Sequence, residues 1–432
     1  MTAEVAVINQ YGVALAADSA ATLNNGKVYN TANKLFMLSK YEPIGIMING
    51  SSHYMHVPWE TLIKDFREEL RDGVFSTLSE YVEHFWSYLE VGNGSKYFTE
   101  NVQRSLCEKR VGQQIESLKK LILNCFDKEL DQELDYQKLK ARAYELTLQL
   151  IDNEKEKAKE GEILKNFNDE DKEKFIEEYS DTVIDMSKSI LGYAVEQFKD
   201  EDFKTLVDLL GELIIRRSFI VYSEVVIAGY GKEELFPQLQ AFNVGVMFNN
   251  KIRKSQSSIH ESTNEEGCQG DVITFAQTNT ARSFIRGVDP ILEGYIYEYS
   301  NTLKNQYISL LKDSGALQKL AEIEFDTDKL VEEMSKCAES SKEDISSYIV
   351  SEHLSPMASV INSLPKNELI EMAESLVSMV ALRMKMSDAA ESVGGPVDVA
   401  VISKGDGFVW VKRKHYFKPE FNRHFFDNYY RH

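Results

Sequence analysis

Threonine stands at position 2, directly after the methionine that opens the chain. Removal of a leading methionine is normal when the next residue is small. It would leave Thr2 with a free α-amino group beside its own hydroxyl. Such an amine has a reference pKa of about 8, close to what a general base needs at neutral pH. One residue would then supply both nucleophile and base for acyl transfer. Two further residues stand out by type and place. Asp18 closes the run VALAAD and Lys34 opens KLFML. Taken singly, the first is an ordinary turn former and the second an ordinary solvated residue at a strand edge. Neither is singled out by its type alone. Asp18 follows Thr2 by sixteen positions and Lys34 follows Asp18 by another sixteen.

Other candidates have less behind them. His53-x-x-His56 has ligand-like spacing, but no carboxylate or thiolate set accompanies it, so a surface or core pair is expected and no metal. Ser51 and Ser52 after Gly50 do not make a GxSxG elbow. Neither a Walker sequence nor GxGxxG is present, and no cofactor is expected. The tail WVKRKHYFKPEFNRHFFDNYYRH is basic and aromatic; a strand followed by a packed terminal arm is expected there.

These residues lie among strands. Val5 to Ile8 and Val13 to Asp18 are short apolar runs split by Gln10-Tyr11-Gly12, which predicts a hairpin. KVYN and KLFML follow, then a turn at Tyr41-Glu42-Pro43 and the run IGIMING, Ile44 to Gly50. From about Trp59 to Arg217 the chain is charged, poor in glycine and helical in period, as at Leu118, Leu121, Ile122 and Cys125. Ser76 with Glu80, and Asn168 to Asp171, look like helix starts. The charge run Glu154 to Glu177 predicts a long solvated helix or mobile arm. Strand character returns in Ser218 to Gly231, Ala241 to Phe248 and Asp271 to Thr278. A second helical block runs from about Ala281 to Met386. Gly394-Gly395-Pro396 ends it, and VDVAVISK, a Gly-Asp-Gly turn at 405–407 and FVWVK form a last hairpin. Strands at both ends and in the middle must meet to bury their faces. The expected organisation is one sandwich core, at 1–57, 218–280 and 389–432, interrupted by helical segments at 58–217 and 281–388.

Thr2, Gly12, Asp18, Thr22, Lys34 and Gly50, in their strand–turn–strand setting, resemble the proteasome β-subunit family. These are threonine proteases of the N-terminal nucleophile hydrolase superfamily. The resemblance implies an α+β fold, an αββα sandwich of antiparallel sheets, here with two large helical insertions. By the same resemblance Thr2 Oγ would attack a carbonyl. Lys34 would lower the hydroxyl pKa and disfavour protonation of the amine. Asp18 would hold Lys34 charged and oriented. Gly50, about two residues farther from Lys34 than usual, would supply an oxyanion-hole N–H, and Thr22 would bind an extended peptide as an added strand. Where the family has Gly-Ser-Gly before a helix, this chain has Gln277-Thr278-Asn279-Thr280. Thr278, Asn279 and Thr280 are therefore the candidates for the proton relay. Asp388 and Ser392 precede Gly394-Gly395 at a spacing unlike the family's Asp-x-x-Ser.

Composition narrows the function classes. The chain has 432 residues, 43% hydrophobic and 11% aromatic, enough to bury a sizeable core. A net charge of −20 opposes binding to phosphate backbones, so nucleic acid is not an expected partner. No apolar run is long enough for a membrane helix. MTAEVAVINQYG is not a signal sequence, and the four dispersed cysteines suit a reducing cytoplasm. The expected substrate is a peptide or unfolded protein, cut by a homo-oligomer whose activator or ATPase partner is unknown. An amidase for small acyl amides or a transpeptidase uses the same constellation, and a catalytically inactive scaffold or regulatory subunit uses the same fold.

Overall fold

The computed structural model describes all residues except 1, 23–26, 130–135, 218–222, 263–267, 277–278, 323–325, 388–392, 416 and 430–432. The first hairpin pairs β1 (Ala3–Asn9) with β2 (Gly12–Ala17), Glu4 opposite Ala17 and Asn9 opposite Gly12. Short extensions follow. β3 (Ala21–Thr22) and β4 (Val28–Tyr29) form a two-stranded ribbon, so KVYN pairs back onto the segment after Asp18. β5 (Leu35–Met37) pairs with β6 (Ile44–Gly50) across the Tyr41–Pro43 turn. β7 (His53–Tyr54) and β8 (Val57–Pro58) make a second small ribbon.

The middle strands are β9 (Ser223–Gly229), β10 (Gln238–Phe248), β11 (Lys251–His260) and β12 (Asp271–Ala276). The last pair, β13 (Asp398–Ser403) and β14 (Gly407–Lys412), turns at Gly405-Asp406-Gly407. Two five-stranded antiparallel sheets result. One runs β12-β1-β2-β13-β14 and the other β11-β10-β9-β6-β5. Strand β11 has no apolar run to announce it, because its outward positions are Lys, Ser and Gln. Its buried Arg253 donates to the carbonyls of Leu213 and Ile214 at the end of a helix and of Arg216 just beyond it.

The faces sort by strand alternation. Ala6, Ile8, Val13, Leu15 and Ala17 of the first sheet pack on Met47, Val226, Ala228, Leu239 and Ala241 of the second. On the outer face of the first sheet, Ala3, Val5, Val7, Ala14, Ala16 and Val399 meet Leu369, Ala373, Leu376, Val377 and Val380. Three alanines on this face of the hairpin, Ala3, Ala14 and Ala16, let a helix come close. Gly12 is a matching close approach, since a Cβ there would stand 2.5 Å from the Ile402 carbonyl oxygen. The architecture is mixed α and β, with two antiparallel sheets face to face and helices outside both.

The outer face of the second sheet is covered by α1 (Trp59–Leu70), α2 (Leu78–Glu90), α3 (Glu100–Glu129), α5 (Asp169–Leu191) and α6 (Asp200–Ile215), while α4 (Tyr136–Glu160) packs on α6. Asn168 and Asp171 close a reciprocal capping box at the start of α5. The cap of α2 is Thr77, one residue beyond Ser76, with Ser76 N–H donating to the Glu80 carboxylate. Leu118 and Ile122 are buried, whereas Leu121 faces solvent and Cys125 is half-buried. The charge run Glu154 to Glu177 is neither one long helix nor a mobile arm. It ends α4, turns a corner and begins α5, because Ala158, Leu164, Phe167 and Phe175 bury their side chains at the bend.

The second block holds α7 (Asn279–Arg286), α8 (Pro290–Asp313), α9 (Ala316–Glu322), α10 (Thr327–Ile349), α11 (Ser355–Ser363) and α12 (Lys366–Lys385). Of these, α12 contributes the helix face that covers the first sheet. By contrast α8 leaves Tyr295, Tyr299, Tyr307 and Leu310 exposed. A terminal helix α13 (Arg423–Tyr429) follows the last strand in the basic, aromatic tail. Among the described residues, no helix is long and apolar enough to cross a membrane.

The interface of α12 with the first sheet is a direct test of this layering. Leu369 is fully buried there. Leu369→Ala is expected to lower unfolding free energy by about 2–5 kcal/mol in urea denaturation, since the cavity cannot collapse against flat strands. A loss below about 1 kcal/mol would contradict the packing described.

Candidate active site

Thr2 enters β1 at the rim of the sandwich. Ala3, Val5 and Val7 point toward the helices and Ala6 and Ile8 toward the other sheet. Alternation therefore turns Thr2 and Glu4 inward. Asp18 immediately follows β2, and the Asp18 N–H donates to the Ala3 carbonyl at 3.0 Å, which holds the two strand ends side by side. Lys34 immediately precedes β5 on the opposite sheet, where its carbonyl accepts from Ile48 N–H at 2.8 Å. Its side chain crosses the gap between the sheets. The ammonium donates to Thr2 Oγ1 at 2.7 Å and to Asp18 Oδ1 at 2.5 Å. All three residues are buried, at 7%, 1% and 7% exposure for Thr2, Asp18 and Lys34.

An ammonium in that position needs a partner, because a buried charge without one is strongly destabilising. Asp18 is itself well supported. Oδ1 also accepts from Ala3 N–H at 3.0 Å, and Oδ2 accepts from Ala20 N–H at 3.2 Å and from Gly394 N–H at 2.8 Å. Ser19 reinforces the same junction, its N–H donating to the Gly394 carbonyl at 3.1 Å and its hydroxyl to the Pro396 carbonyl at 2.5 Å. The paired glycines do more than end a helical block. Gly394 at φ 155° and Gly395 at φ 79° occupy backbone regions that favour glycine, and a Cβ on Gly395 would stand 2.8 Å from that of Asn30.

The remaining sequence candidates surround this trio at different distances. Gly50 ends β6 with φ 83°, opposite Ser223, two residues along from the Ile48 contact to Lys34. Thr22 lies in the short ribbon after Asp18, paired with Val28 and exposed. Ala276, the last residue of β12, pairs with Ala3 and takes φ 62°, an uncommon value for a residue with a Cβ. Thr278 lies outside the described residues, as do Asp388 and Ser392. Asn279 and Thr280 open α7, and the Asn279 carbonyl accepts from the Ser283 hydroxyl at 2.6 Å. His53, which opens β7, and His56, in the turn that follows, are both exposed, and His53 Nδ1 is 2.9 Å from Ser52 Oγ. Among the described residues, no group of three or more metal-ligating side chains is gathered.

Glu4 is a feature the sequence pattern did not flag. It points inward two residues from Thr2, is 1% exposed, and neither carboxylate oxygen accepts a hydrogen bond among the described residues. Burial pushes its carboxyl up to about 8 from an ordinary 4.5; Lys34 opposes the rise, and Asp18 and Glu224 add to it. Glu224 is better placed, accepting from Asn49 at 2.7 Å and Ser257 at 2.7 Å. The only sequence signal was a charged residue on a strand whose neighbours are all apolar. A second group also escaped notice. His260 stands between Cys268 Sγ, 3.8 Å from Nε2, and Asp271 Oδ2, 3.7 Å from Nδ1. It lies at the far end of β12 from Thr2, since Asp271 pairs with Ile8 and Ala276 with Ala3.

Neither the protein-family models nor the curated proteins compared with this sequence include a match.

Two outcomes test this geometry without any assumption about activity. Gly394→Ala forces a side chain onto φ 155° and moves the N–H that Asp18 accepts; a loss of about 1–3 kcal/mol in denaturant titrations is expected, and wild-type stability would contradict the contact. The second concerns Glu4. Its folded carboxyl is raised, so between pH 4.5 and about 8 the folded chain keeps a proton that the unfolded chain releases. Stability from this group is therefore present at low pH and lost as pH rises through that window, by up to about 1.4 kcal/mol per pH unit. Glu4→Gln removes the term. The wild-type-minus-variant difference in urea midpoint should fall steadily from pH 5 to pH 8, and a flat difference would contradict a buried neutral acid.

Proposed function

We propose that this protein is a threonine-type N-terminal nucleophile hydrolase, built on an αββα sandwich and cleaving peptide or amide bonds through an acyl-enzyme at Thr2 after loss of Met1. The observation that supports it most is the single ammonium of Lys34 held between Thr2 Oγ1 at 2.7 Å and Asp18 Oδ1 at 2.5 Å. A cation at that distance favours negative charge on the threonine oxygen. Removal of Met1 gives Thr2 an α-amine with a reference pKa of about 8, able to take the hydroxyl proton near neutral pH.

In this reading Oγ1 attacks the substrate carbonyl carbon while the α-amine accepts the hydroxyl proton. The carbonyl oxygen becomes an oxyanion, for which the N–H of Gly50 is the proposed donor; one such donor is typically worth ~10²–10³ in rate. The C–N bond then breaks, the amine's proton passes to the leaving nitrogen, and an ester remains on Thr2. Water attacks that ester, gives a proton back through the amine, and releases the carboxylic acid. The exposed ribbon carrying Thr22 supports an extended substrate, which would pair with it by strand addition. That favours a peptide or an unfolded protein over a compact small amide.

The test is the intact mass of the purified protein after treatment with a β-lactone or an epoxyketone, with Thr2→Ala as control. Loss of methionine together with one adduct that the control lacks is the expected result. Retained Met1, or a trimmed chain without an adduct, would contradict the proposal.

A further inference from the structure

Glu4 is a buried acid beside the proposed nucleophile, and the acyl-transfer steps leave it unused. Its position on β1 puts it under Thr2 on the same inward face, between Ala17 of β2 and Phe275 of β12, neither of which is charged. The charges that reach it are Lys34 and Glu224, from the opposite sheet, and Asp18 from the end of β2. Its two oxygens make no hydrogen bond among the described residues, although 99% of the residue is out of solvent at 1% exposure. An anion at this place would be left without donors, while Glu224 nearby has two. A neutral acid is the form such a site tolerates.

We propose that Glu4 is a positioning residue that acts on Thr2 through Lys34: as a neutral carboxylic acid it leaves the ammonium's charge to the threonine oxygen and Asp18, and when it ionises it draws that charge away. This rests on the threonine-hydrolase reading for its consequence, though not for the coupling between Glu4 and Lys34. The physical reason is Coulombic. A second anion close to Lys34 cancels part of the field that favours an alkoxide on Thr2, and it also favours the protonated form of the α-amine, which is then no longer a base. Reaction at Thr2 therefore rises with pH as the amine loses its proton and falls again once Glu4 loses its own. An acid that only filled space would not bend that profile.

The experiment uses the full chain and two readouts. The first is the rate of β-lactone adduct formation at Thr2 from pH 6 to pH 10, in wild type and Glu4→Gln. The second is the titration of lysine side chains carrying carbon-13 at Cε, followed by NMR, with Lys34→Arg to assign the signal. The expected result is a wild-type rate that declines above about pH 8 and a variant rate that does not. The ratio of rates at pH 9.5 and pH 7.5 should be about tenfold higher in the variant, the equivalent of one pKa unit. The Lys34 signal should carry a step near pH 8 in wild type that Glu4→Gln lacks. Matching profiles in the two proteins, or a wild-type Lys34 signal without that step, would overturn the proposal. If neither protein takes an adduct, the threonine-hydrolase reading falls, and the Lys34 signal alone decides whether Glu4 governs the lysine. Should Glu4→Gln fail to fold, Glu4→Leu, which also removes the titrating carboxyl, takes its place in that arm.

Discussion

A buried ammonium bridging a hydroxyl and a carboxylate is the constraint around which the rest of the molecule is arranged. Lys34 comes from one sheet and Thr2 and Asp18 from the other, so its two contacts at 2.7 and 2.5 Å exist only while the sheets are face to face. Burying that charge is unfavourable unless every lone pair on its partner is well used. Asp18 meets the condition by accepting three backbone N–H groups besides the ammonium. One of the three belongs to Gly394, which is 376 residues away in sequence. The last strands must return to the first hairpin for the site to exist, which ties the architecture of the whole chain to a few ångströms at its beginning.

The helical blocks serve this arrangement unequally. α12 seals the outer face of the sheet that carries Thr2 and Asp18, using the small residues of the first hairpin as its seat. The larger block, α1 to α6, forms one continuous core with the second sheet. It reaches the rim of the site through Trp59, whose indole N–H donates to Ser223 Oγ at 3.1 Å, and Ser223 in turn donates to the Ser51 carbonyl at 3.0 Å. Ser51 follows Gly50 directly, so the geometry of that glycine is anchored from the helical side. α8 and α10 bury few side chains and leave several tyrosines in solvent. Their part in the molecule is separate from holding the sheets together.

Much of this was legible in the sequence because it depends on local periods. Alternating and continuous apolar runs marked β1, β2, β6 and β9, the Asn168 to Asp171 box marked the start of α5, and Gly405-Asp406-Gly407 marked the final turn. The family resemblance carried by Thr2, Asp18 and Lys34 and their strand setting, not any local period, pointed to the three residues that the fold brings together. What was not legible depends on distant partners. Strand β11 carries Lys, Ser and Gln outward and one buried Arg, so no apolar pattern reveals it. The corner between α4 and α5 hides among charges because the residues that bury there, Ala158, Leu164, Phe167 and Phe175, are scattered between them. Gly394 looks like a helix stop until its N–H is seen on Asp18. Glu4 looks like a solvated acid until both neighbouring strands cover it. Residues whose role is set across the sandwich cannot announce themselves through spacing along one strand.

The claim on which this account rests is that Asp18 acts on Thr2 through Lys34 and not by itself. A double-mutant cycle measures it directly: β-lactone adduct rates at Thr2 in wild type, Asp18→Asn, Lys34→Met and the double variant, each checked for native circular dichroism. The account predicts that each single change slows the adduct by about 10² or more, and that the double variant is no slower than Lys34→Met alone. Losses that simply multiply, or an Asp18→Asn protein that reacts at the wild-type rate, would contradict it.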